Sequence, residues 1–91
     1  MTTPRVTENP AQTLRPVANR WFLDQCLSMR GHVVITSGER VLWCGTVNHD
    51  SSFISAANVV RANRDSGMTF RHTYRDADVG NSILTRLSRV L

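Results

Sequence analysis

The chain has 91 residues, a formal net charge of +4 and a pI near 10.5. Its 41% hydrophobic content supports one small core and so one domain, and it contains no run of about 18 apolar residues, which excludes a transmembrane helix. All eleven basic residues are arginine and none is lysine, so every fixed positive charge is a planar, always-protonated guanidinium suited to phosphate or carboxylate.

An arginine-only composition has two readings. A GC-rich genome replaces lysine codons, although six asparagines from the same codon box sit uneasily with that. The other reading is selection for bidentate contacts with an anionic partner.

Residues 1–11 hold Pro4, Pro10 and three threonines with little apolar content, and read as a flexible N-terminal tail. The tail lacks the apolar centre of a secretory signal, so the expected location is the cytoplasm. Residues 12–91 read as the single folded domain.

A first helix is predicted over 13–30, with Thr13 as cap and Pro16 in the first turn. Leu14, Ala18, Trp21, Phe22, Cys26 and Met29 recur on one face, broadened by Val17, Leu23 and Leu27. Arg20 and Asp24 stand four apart on the wetter side, where they would pair. Gly31 ends this helix.

Residues 32–36 and 40–48 read as a strand pair joined by Ser37-Gly38-Glu39. Strict alternation puts Val41, Trp43 and Val47 on one face of the second strand and Leu42, Cys44 and Thr46 on the other. With both faces apolar, this strand is expected inside the sheet, and Gly45 marks a bulge or a close backbone approach.

A second helix over 51–64 is capped by Asp50 or Ser51 and carries a Phe53, Ile54, Ala57, Val60 stripe. Residues 68–75 alternate cleanly: Met68, Phe70, His72 and Tyr74 point one way, Thr69, Arg71, Thr73 and Arg75 the other. A last helix over 79–91 is capped by Asp78, with Val79, Ile83, Leu84, Leu87 and Val90 inward. The fold expected is α+β: a small, mainly antiparallel three-stranded sheet packed with three helices, in the order α-β-β-α-β-α, with strand order open.

The sharpest functional pattern is the third strand. If its apolar set faces the core, Arg71 and Arg75 share an exposed face about 13 Å apart, and Arg61 and Arg64 at the end of the preceding helix extend the patch. These four are the candidate contacts to nucleic acid or another anionic partner. A solvated strand face explains the same alternation without a ligand. The reverse orientation would instead offer Phe70, His72 and Tyr74 as a base-stacking platform. Trp21 and Trp43 are core supports if buried and interface anchors if exposed.

Other chemistry finds little support. Cys26, His32, Cys44 and His49 have zinc-type atoms but lack the close Cys-x-x-Cys pairs of structural sites, so no metal or other cofactor is expected. Cys26 and Cys44 read as buried free thiols, since a disulfide depends on a Cα separation that sequence does not give. The run from Asp76 to Leu87 starts like a calcium loop but ends on Leu87 where a bidentate Glu belongs, and a turn with a helix cap accounts for it. His49, Asp50, Ser51 and Ser52 are triad residue types, yet sequence neighbours at a helix start do not make triad geometry; no catalytic residue is assigned.

There is no helix-turn-helix spacing and no aromatic strand motif for RNA. In size and style the chain is similar to the small accessory proteins of phages and plasmids. The function expected is a non-enzymatic binder of nucleic acid or a nucleoprotein complex. The alternative is a protein-interaction module, such as a phage-encoded inhibitor of a host nuclease or defence complex, facing an acidic protein surface. A homodimer through a free sheet edge or the last helix fits either, and no membrane partner is expected.

Overall fold

The computed structural model describes the backbone of residues 16–91, with side chains from Arg20 onward. The expected tail over 1–11, the Thr13 cap, and the side chains of Leu14, Val17 and Ala18 lie outside the described residues. The elements are α1 (Pro16–Ser28), β1 (Val33–Ser37), β2 (Arg40–Gly45), α2 (Asp50–Ala62), β3 (Met68–His72) and α3 (Ala77–Ser88). This is the α-β-β-α-β-α order expected of a small α+β fold.

The strands form one antiparallel sheet in the order β2-β1-β3. β1 is central, because its Val33, Val34 and Ile35 are fully buried and cover is needed on both of its faces. β2, expected inside the sheet, is an edge strand. Its two apolar faces are covered by helices rather than flanked by strands.

The β1–β2 hairpin closes through two residues, Gly38 and Glu39, rather than three, since Ser37 pairs with Arg40. Gly38 has φ 64° and, among the described residues, no non-glycine residue has positive φ, which is the type II′ pattern that matches strand twist. The ladder then shifts register: Ile35 pairs with Trp43 but Thr36 with Val41, leaving Leu42 as an extra residue. This bulge overturns the predicted alternation. Leu42 and Trp43 now share one face, packed with Val33 and Ile35, while Val41 and Cys44 share the other with Val34. Gly45 is not the bulge. It admits the Trp43 indole, whose Cη2 lies 2.9 Å from where a Cβ would stand.

Two cores follow, one per sheet face. The larger joins Val33, Ile35 and Leu42 to Ala56, Ala57 and Val60 of α2 and Ile83 and Leu87 of α3. The smaller joins Leu23 and Cys26 of α1 to Val34 and Val41, with Phe22, Leu27 and Cys44 around them. α1 lies over β2, and α3 backs β3 on the opposite face. β3 ends at His72, so Thr73, Tyr74 and Arg75 of the strand predicted over 68–75 lie beyond it. Within β3 the alternation holds, with Met68 and Phe70 packed on the larger core and Thr69 and Arg71 exposed, and Tyr74 packs on that core from the following segment.

Helix ends and faces differ from expectation in four places. Asp76, not Asp78, caps α3, its carboxylate accepting from the Asp78 and Val79 backbone N–H groups. His49 precedes α2, with the Ser52 hydroxyl accepting from the His49 N–H and donating to the His49 carbonyl. Ile54 and Val79, expected inward, are exposed, while Ala56 and Gly80 are buried. Arg20 pairs across space with Glu39 of the hairpin instead of Asp24. Both partners are 59% exposed, so the pair contributes at most about 1 kcal/mol. Among the described residues no helix is long and apolar enough to cross a membrane.

Candidate anionic-partner surface

The strand order decides which arginines meet. β1 and β3 are antiparallel neighbours, so the start of β1 lies beside the end of β3. Thr73, just past β3, clamps the two together. Its N–H donates to the His32 carbonyl (2.8 Å), its carbonyl accepts from the Gly31 N–H (3.0 Å), and its hydroxyl accepts from the His32 N–H (2.9 Å) and donates to the Met29 carbonyl. The His32 ring adds a bond from Nδ1 to the Arg30 carbonyl at 2.9 Å. The whole 29–32 connection is thus tied to β3.

Three arginines surround this clamp. Arg71 and Arg75 stand two residues either side of Thr73, so their Cα atoms lie no more than about 7 Å from its own. Arg30 adjoins Gly31, whose N–H is on the Thr73 carbonyl. All three are exposed, and none forms an ion pair with a described carboxylate. Arg71 sits opposite Val34 in the ladder, on the sheet face that α1 covers over β2, which leaves the β3 strip open. The neighbouring Asp76 carboxylate is engaged at the α3 N-terminus.

The other two predicted contacts lie elsewhere. Arg61 ends α2 and donates to Asn58 Oδ1 at 3.2 Å. Arg64 is in the turn before β3, near Ser66, whose carbonyl accepts from the Ser37 hydroxyl at 2.7 Å. That is the hairpin end of the sheet, before the start of β3, whereas Arg71 stands three residues along it, about 10 Å at a rise near 3.3 Å per residue, and Arg75 lies beyond its end. The four arginines therefore fall into two pairs, Arg61 with Arg64 and Arg71 with Arg75. Arg30 joins the second pair. Its place there follows only from the β1–β3 pairing, which the sequence does not display.

The tryptophans also separate. Trp21 is 60% exposed on α1, although the helical spacing put it on the apolar face. Trp43 is half-buried against the larger core, with Nε1 donating to the Ser55 hydroxyl at 3.1 Å. Phe70, His72 and Tyr74 face inward rather than forming a stacking platform: Phe70 and Tyr74 pack on the core, and His72 lies against Gly80.

A shallow pocket of about 230 Å³ opens at the start of α2, lined by residues including His49, Asp50, Phe53 and Arg86. Arg86 lies over the Phe53 ring at 4.3 Å. Ser52 is committed to the helix start, so it is not an activated nucleophile. Among the described residues no group of three or more His, Cys, Asp or Glu side chains gathers to hold a metal. Comparison with known proteins gave no matching family model, curated protein or solved structure.

Proposed function

We propose that this chain is a small, non-enzymatic binding protein that contacts the phosphate backbone of nucleic acid through Arg30, Arg71 and Arg75. The observation that carries this reading is the Thr73 clamp, which ties residues 29–32 to the end of β3 and so brings the backbone of Arg30 near that of Arg71 and Arg75, three exposed residues without a carboxylate partner among the described residues. Arginine forks suit phosphate oxygens, and such contacts give affinity without reading bases. In this reading the chain acts in the cytoplasm. The test is titration of a labelled DNA duplex at increasing salt. Three phosphate contacts give a slope of log Kobs against log salt of about −2.7. No binding at low salt, or a flat salt dependence, would contradict it.

Trp21 favours a second reading. A tryptophan 60% exposed on a helix is a hot-spot residue type in search of a pocket. In that reading α1 docks on an acidic protein surface, as an inhibitor of a host nuclease or defence complex would. It expects stoichiometric capture of one partner that Trp21→Ala abolishes and Arg71→Ala leaves in place. Among the described residues β2 and β3 are the edge strands of the sheet, so homodimerisation belongs with either reading, and sedimentation at rising concentration tests it.

A further inference from the structure

Cys26 sits on the buried face of α1, and Cys44 on β2 opposite Val34, in the same small core. Both are free thiols, placed on the two elements that face each other where α1 packs on β2. Cys26 is fully buried; Cys44 is half-buried on an edge strand.

We propose that Cys26 and Cys44 are an oxidisable pair whose intrachain disulfide staples α1 to the sheet. The roles of the two sulfurs are unequal. The Cys26 S–H stabilises a thiolate on Cys44 and lowers its pKa, while the same interaction and burial push the Cys26 thiol up. Cys44 is therefore the attacking sulfur and Cys26 the resolving one.

With a low-molecular-weight disulfide as oxidant, the Cys44 thiolate attacks one of its sulfurs and breaks the S–S bond. One small thiolate leaves, and Cys44 carries a mixed disulfide. Cys26 then gives up its proton to that thiolate or to solvent and attacks the Cys44 sulfur. The second small thiolate departs as the Cys26–Cys44 bond forms. The protein loses two protons and two electrons, and the small disulfide is reduced to two thiols.

The bond would close a loop holding β1 and the hairpin, at the smaller of the two cores, where α1 is held chiefly by Leu23 and Cys26. Constraining that loop in the unfolded chain raises the melting temperature by about 10–20 °C for a domain of this size.

The test treats the reduced full-length protein with oxidised glutathione and follows intact mass, free thiols and thermal melting. Expected is a monomer lighter by two hydrogens, with no retained glutathione, no free thiol and a raised melting temperature that dithiothreitol reverses. Cys44→Ser should block the reaction, and Cys26→Ser should stop it at a stable glutathione adduct on Cys44. A wild-type product that keeps glutathione, links two chains, or melts no higher than the reduced protein would overturn the proposal. The wild-type mass and melting decide the matter even if a variant fails to fold.

Discussion

Among the described residues, Thr36 is the one buried side chain with a polar atom left unpaired. It is fully buried on β1, and its hydroxyl has no hydrogen-bond partner. A buried donor without a partner costs about 1–3 kcal/mol, and valine has nearly the same shape without it. Thr36→Val should raise stability by about 1 kcal/mol or more, seen as a melting temperature higher by several degrees. Gly80 is the opposite case. A Cβ there would stand 2.2 Å from His72 Nδ1, and that ring is fixed by accepting from the Tyr74 N–H at 3.1 Å. Gly80→Ala should cost about 1–3 kcal/mol in chemical denaturation. Neither feature was readable in the chain. Thr36 looks like any strand threonine, and Gly80 looks like a weak helix former in the first turn of the predicted last helix. Both meanings depend on what packs above the residue.

At the scale of elements, the order, number and type of helices and strands were legible, because periodicity near 3.6 and 2 is written locally. β3 was read correctly in orientation because its alternation is strict and no bulge interrupts it. β2 was not. One extra residue at Leu42 flips every later side chain to the other face, and nothing in Val41-Leu42-Trp43-Cys44 announces it. The start of α3 was placed two residues late because Asp76 and Asp78 are equally good cap residues. Asp76→Ala should cost about 1 kcal/mol, from the loss of two bonds to backbone N–H groups. Asp78→Ala removes only a charge near the helix start, worth a few tenths up to about 1 kcal/mol. Equal losses in the two variants by denaturant titration would contradict the structure's cap.

At the scale of the whole molecule, one sheet carries two cores, and the strand order β2-β1-β3 sets what each end of it displays. The nearness of Arg71 to Arg75 was legible, since the two lie on one readable strand and the segment that follows it. Arg30 was not, because it reaches them through pairing between segments some forty residues apart. Arg61 and Arg64 neighbour β3 in sequence but belong to the opposite end of the sheet. This geography makes the arginines separable by experiment. The decisive measurement is the salt dependence of duplex binding for Arg30→Ala, Arg71→Ala and Arg75→Ala beside the double variant Arg61→Ala/Arg64→Ala. Each of the first three should reduce the steepness of log Kobs against log salt by about 0.9, and the double variant should leave it unchanged. A loss of about 1.8 in the double variant, with the single variants unchanged, would contradict the account.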